Sequence, residues 1–161
     1  MQIPILYIAP LTQAEVAQIV AWEYPPPYNL YNVSPDEQIA TMDYFLNPEN
    51  GCFAIRDSDG TFLGYGSVGA DAQVPGGGYE QDALDLGIGI RPDLTGQGQG
   101  KRFLEALVAY AQAQEPTPRP LRVTVAGFNE RAQRLVHGGG FAEVQRFTRP
   151  ADGMEFVIFM R

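Results

Sequence analysis

The chain has 161 residues, 45% of them apolar and 19% charged, which suits one domain spanning residues 1–161 with a sizeable core and excludes a disordered chain. Nineteen acidic against eleven basic residues leave a net charge of −8, which argues against a nucleic-acid partner, because neutralising phosphates takes a surplus of Lys and Arg. A single cysteine, Cys52, and a single histidine, His137, exclude an internal disulfide, a cysteine zinc cage and a His cluster, so no metal is expected.

Ile3 to Ile8 alternates and is rich in β-branched residues, as a first strand is, and Pro10 ends it. The apolar run around it is far shorter than the roughly 20 residues of a membrane span, and no Lys or Arg precedes it as in a signal peptide. A cytoplasmic protein without a membrane partner is expected. Thr12, followed by Glu15, forms a capping box ahead of a short helix carrying Val16, Ile19 and Val20. The run Tyr24-Pro25-Pro26-Pro27-Tyr28 breaks that helix, and Ser34-Pro35-Asp36-Glu37 starts a second one reaching about Leu46. Cys52 to Arg56 and Thr61 to Val68 read as a hairpin around Asp57-Ser58-Asp59-Gly60. Gly69 to Asp82 reads as a flexible loop. In the next strand Leu84, Leu86, Ile88 and Ile90 alternate with Asp85, Gly87, Gly89 and Arg91, giving one greasy and one almost bare face. Glycines inside a strand mark a bulge or a close approach to the backbone. A glycine-rich stretch, Thr95 to Lys101, opens a helix through Phe103, Leu104, Leu107, Val108 and Ala111 that stops before Pro116. Leu121 to Ala126 is a strand, Glu130 to His137 a short helix closed by Gly138-Gly139-Gly140, and Phe141 to Thr148 with Met154 to Met160 a second hairpin. The order is β-α-α-β-β-β-α-β-α-β-β.

Gly96-Gln97-Gly98-Gln99-Gly100-Lys101, between a strand and a helix, is a candidate anion site, since free N–H groups and the positive dipole end meet there. The P-loop pattern fails, because it would need glycine at Thr95 and Ser or Thr at Arg102. The dinucleotide pattern fails because Lys101 stands at its third glycine. What remains is Ile88-Gly89-Ile90-Arg91-Pro92-Asp93-Leu94-Thr95-Gly96-Gln97-Gly98-Gln99-Gly100, followed by Val123-Thr124-Val125-Ala126-Gly127-Phe128-Asn129 with Ala132, Leu135, Gly140 and Phe141. Over nearly its whole length the chain resembles the GNAT superfamily of acyl-CoA N-acetyltransferases.

That resemblance implies an α+β fold, with a mixed, mostly antiparallel twisted sheet of about seven strands and four helices. It also implies acetyl-CoA as cosubstrate, its pyrophosphate on Gly96 to Lys101, its pantetheine arm along Ile88, Gly89 and Ile90, and Asn129 on the other side. Thr95 departs from the Arg or Gln usual there, which predicts a weaker grip. The family's tyrosine acid is replaced by Val136. His137 could deputise, although a histidine at a helix C-terminus ordinarily meets the dipole. The family, many of whose members dimerise, admits a homodimer.

Acetyl transfer needs a neutral amine, and stripping a lysine-like ammonium at pH 7 costs about 4.6 kcal/mol against about 1.4 for an α-amine near 8. A carboxylate is the obvious base. Asp85 is the candidate, with plain solvation an equal reading; Glu80 and Asp82 sit at the mouth of the strand. A backbone N–H at Ile88 would hold the oxyanion. Cys52 reads as a small buried hydrophobe. The acidic first half, −11 over residues 1–85 against +3 over residues 86–161 by count along the sequence, carries Trp22, Tyr24, Tyr28 and Tyr31. Aromatic walls and carboxylates suit a cationic amine, although packing under the proline-rich loop explains any one of these rings equally well. The expected function is acetylation of a primary amine of a small molecule, with a protein or peptide amine second. The rival is a catalytically silent acyl-CoA-binding or regulatory module.

Overall fold

The structure, a computed structural model, describes residues 5–161. Ile3 and Pro4 of the expected first strand lie outside the described residues, and strand pairing begins later than predicted, with β1 at Tyr7–Ala9. The chain continues through α1 (Gln13–Ala21), α2 (Gln38–Leu46), β2 (Cys52–Arg56), β3 (Phe62–Val68), β4 (Leu84–Ile90), α3 (Gly100–Ala113), β5 (Leu121–Ala126), α4 (Glu130–Gly138), β6 (Ala142–Thr148) and β7 (Glu155–Met160). The order is the one read from the sequence.

Local chemistry accounts for the boundaries. Thr12 and Glu15 close the expected capping box: the Thr12 hydroxyl accepts the Glu15 N–H at 3.2 Å and the Glu15 carboxylate accepts the Thr12 N–H at 2.9 Å. The second helix starts later than Ser34 because Pro35–Glu37 forms a tight 3₁₀ turn first. In the β2–β3 hairpin the Asp57 carboxylate accepts the N–H groups of Asp59 and Thr61, so the side chain builds the turn.

The seven strands lie in the order β1-β2-β3-β4-β5-β7-β6, and only the β4–β5 pair is parallel. α3 covers one face with Phe103, Leu104, Leu107 and Val108, all buried against Phe53, Ile55, Leu63 and Leu86. Each such side chain contributes about 1.5–3 kcal/mol by burial. α1 covers the other face with a smaller cluster of Ile19, Ala54 and Phe62, against which Trp22, Phe45 and Tyr65 pack. Alternation along β2 sends Phe53 and Ile55 to one layer and Ala54 to the other.

Candidate functional site

β4 and β5 pair only at Leu84↔Leu121, Asp85↔Arg122 and Leu86↔Val123 and then part. On its other edge β4 stays paired with β3 from Leu86 to Ile90. Gly69 N–H donates to the Asp85 carbonyl and Arg91 N–H to the Leu63 carbonyl, both at 2.9 Å. Antiparallel pairing alternates, so the odd residues of β4 bond to β3. Ile88 and Ile90 therefore turn their N–H and C=O groups toward the edge that β5 has left, and a wedge opens there with a strand's polar backbone on one wall.

The wedge leads into the glycine loop. Gly96 and Gly98 have φ of +72° and +74°, a conformation open to glycine at no steric cost. A Cβ on Gly98 would meet nothing within 4 Å. The first bond of α3 runs from Phe103 N–H to the Gln99 carbonyl. Among the described residues, the N–H groups of residues 96–102 meet no acceptor, and no side chain caps the helix. Seven successive free donors at a helix N-terminus suit a pyrophosphate. Thr95 turns its hydroxyl back to the Pro92 carbonyl at 2.8 Å.

The bare face of β4 differs from its sequence reading. Gly87 and Gly89 leave room for neighbouring side chains rather than for a ligand: a Cβ on Gly89 would lie 2.1 Å from the Tyr65 ring, and one on Gly87 2.6 Å from the Ser67 hydroxyl. Tyr65 is itself stacked on Trp22 and abuts Phe45 edge-on.

Asp85 lies 3% exposed and Arg122 2%. Arg122 Nε donates to Asp85 Oδ1 at 2.6 Å, Nη2 to Oδ2 at 2.8 Å, and Gln73 Nε2 to Oδ2 at 2.8 Å. Both oxygens are engaged, and Asp85 is held as the buried partner of a guanidinium, Arg122, that the sequence did not single out. The remaining donor of Arg122, Nη1, reaches the Gln81 carbonyl at 2.8 Å, and its guanidinium lies 4.9 Å from the Tyr79 ring. The pair thereby anchors the 69–82 loop, which borders an open cavity of about 400 Å³. Asp82 in that lining is bound by Arg119 at 2.6 Å. Glu80 is the one lining carboxylate without an ion pair among the described residues.

The predicted aromatics split. Trp22 packs on the α1 face against Tyr65, which the sequence did not single out, whereas Tyr24, Tyr28 and Tyr31 reach across the wedge. Tyr24 Oη donates to the Ile90 carbonyl at 2.6 Å, and Asn129 Nδ2 donates to Tyr31 Oη at 3.1 Å. Burial pushes both phenols above their ordinary titration range, so they stay protonated. Asn129 also caps α4, its Oδ1 accepting the Ala132 N–H at 3.0 Å. Arg131, unremarked in the sequence reading, lies with its guanidinium 4.1 Å from the Tyr28 ring centre and Nη1 3.3 Å from the Cβ position of Gly96. Among the described residues no carboxylate pairs with it. Its place two residues after Asn129 was the available signal.

Val136 is buried in the core. His137 is exposed in the last turn of α4, eight residues or about 12 Å along the helix from Asn129. Cys52 is half-buried, its thiol pushed up to about 12 by burial and by Asp71, so it is a poor nucleophile.

The family model described as the acetyltransferase (GNAT) family matches residues 15–141. A GNAT-family acetyltransferase from Bacillus anthracis superposes with a TM-score of 0.70 at 12% identity, over 97% of this chain and 93% of that one. A protein from Bordetella pertussis assigned to the same family gives 0.69 at 16%, over 99% of each chain. A variant of the spermidine N-acetyltransferase of Vibrio cholerae gives 0.65 at 15%, over 97% and 92%. No curated protein matches the sequence at a significant level.

Proposed function

The chain belongs to the GNAT acetyltransferase family, and from that premise we propose that it transfers the acetyl group of acetyl-CoA to a primary amine of a small molecule or a peptide, in the cytoplasm. The observation that carries this is the wedge after Leu86↔Val123, with the edge of Ile88 and Ile90 unpaired by β5 and leading into free donors at Gly96 to Lys101. The donor set fits a pyrophosphate with a linear amide arm behind it.

In this reading the backbone of Gly96, Gln97, Gly98, Gln99, Gly100 and Lys101 holds the phosphates. Thr95 fixes the loop through Pro92 instead of touching them, and Arg131 adds a cation. Ile88 and Ile90 pair with the arm as a neighbouring strand would, Gly89 keeps the strand flush against Tyr65, and Asn129 approaches from the α4 side. The thioester, when bound, supplies an acyl group on a tolerable leaving thiolate, whose ordinary pKa is near 8.5. The Ile88 N–H, on the edge that β5 leaves unpaired, would be the donor to the charge that develops on the thioester oxygen, a role worth about 2.7–4 kcal/mol for a well-placed donor. Asp85 anchors the 69–82 loop rather than taking a proton. Glu80, unpaired at the rim, attracts the ammonium and accepts its proton through water, while Tyr24, Tyr28 and Tyr31 wall the approach and Trp22 backs them from the α1 face. With His137 at the far end of α4, the thiolate leaves without a histidine acid.

Thermal unfolding with and without acetyl-CoA tests the binding step. At about 100 times its dissociation constant the ligand adds about 2.7 kcal/mol, or about 5–10 °C for a domain of this size. No shift at millimolar acetyl-CoA removes the proposal. Thiol release across a panel of amines, with spermidine included because of the likeness in fold to the Vibrio cholerae enzyme, then separates a transferase from a silent coenzyme-binding module: shift without amine-dependent release favours the module.

A further inference from the structure

The segment from Tyr24 to Asn32 is closed on itself, with Asn32 Oδ1 accepting the Tyr24 N–H at 2.7 Å and Asn32 Nδ2 reaching the Tyr24 carbonyl at 3.4 Å. A 3₁₀ turn at Tyr28–Tyr31 stiffens its middle. It is a compact strap, and it spans the mouth of the wedge. One end is tied to β4 through Tyr24 Oη and the Ile90 carbonyl, at 2.6 Å, and the other to α4 through Tyr31 Oη and the Asn129 amide, at 3.1 Å. Between them the Tyr28 ring lies under Arg131, and Tyr28 and Tyr31 both lean on Phe128.

Those anchor points are the groups that the coenzyme arm is assigned above. An arm pairing with β4 would lie about 4.8 Å from it, and a phenol oxygen 2.6 Å from the Ile90 carbonyl puts the Tyr24 ring in that place. A carbonyl has a second lone pair, but the edge of the strand has no second side. We propose that the strap and the coenzyme arm exclude one another at Ile90 and Asn129, so that coenzyme binding releases the strap. The inference rests on the reading of the wedge as the coenzyme cleft.

Calorimetric titration of the whole protein with coenzyme A tests it, comparing the wild type with Tyr24→Phe and Tyr31→Phe. Removing a bond that exists only in the free protein tightens coenzyme binding, by about fivefold for one ordinary hydrogen bond, while lowering the melting temperature of the free protein. Binding that is unchanged or weaker in both variants overturns the competition. No binding by the wild type overturns the reading of the cleft instead, so the two failures are distinct. Chymotrypsin on the wild type gives a measurement that needs no variant: coenzyme A speeds cleavage after Tyr28, Leu30 and Tyr31. Protection of those bonds by coenzyme A overturns the release.

Discussion

Asp85 and Arg122 show how one partner changes the chemistry of a residue. A carboxylate facing a cleft is a base, whereas one held by two guanidinium nitrogens and an amide is half of a buried ion pair. Breaking such a pair from one side costs about 3–5 kcal/mol, and replacing both halves with apolar residues of similar size is often neutral. Asp85→Asn is thus expected to lower stability by about 3 kcal/mol in denaturant unfolding, with Asp85→Leu/Arg122→Met recovering most of it. An Asp85→Asn variant that unfolds normally but loses the acidic limb of its pH–rate profile would return the base role to Asp85. Gly89 gives a second case. Its Cβ would enter the Tyr65 ring, which Trp22 and Phe45 hold from two sides. Gly89→Ala should cost about 3 kcal/mol, the upper end for overpacking. Tyr65→Leu in the same chain should restore part of the loss, and a stable single variant would contradict the packing described.

At the scale of elements, α4 is tied to the wedge by its N-cap residue. Asn129 caps the helix with its oxygen and donates to Tyr31 with its nitrogen, so the two roles separate by substitution. Asn129→Ala should lose about 1 kcal/mol through the cap, seen as a melting temperature about 2–4 °C lower. Asn129→Asp should restore the cap without the donation. Equal losses in both variants would mean that the bond to Tyr31, rather than the cap, supports the helix. The elements themselves were largely legible: Thr12 and Glu15, the Asp57–Gly60 turn and the alternation over Leu84–Ile90 are local signals with local causes. The first strand was not, because alternation marks where a strand can form and pairing marks where it does. β1 is limited to the three residues that face Ala54, Ile55 and Arg56.

For the whole molecule, residues 1–85, which supply α1 and the strap, carry a net −11, and residues 86–161, which supply the α3 loop, carry +3. Charges of this kind act over about 10 Å at 0.1 M salt. A cationic acceptor should show KM rising several-fold between about 0.05 and 0.5 M salt with kcat little changed, a screening effect. A KM indifferent to salt, measured with a neutral amine as control, would remove the acidic half from acceptor capture.

The order of the elements, the glycine loop and the motif around Asn129 were determined by the sequence alone, because capping, turn chemistry and glycine placement act within a few residues of chain. Three things were decided only by tertiary structure, each a meeting of distant residues. The parting of β4 from β5 after three pairs leaves Ile88 and Ile90 unpaired by β5. Arg122, 37 positions from Asp85, turns a candidate base into an anchor. The strap places Tyr24 on Ile90, 66 positions away, and Tyr31 on Asn129, 98 positions away. No periodicity or spacing encodes such contacts, since they depend on which edge of a strand is left unpaired once the whole sheet has formed.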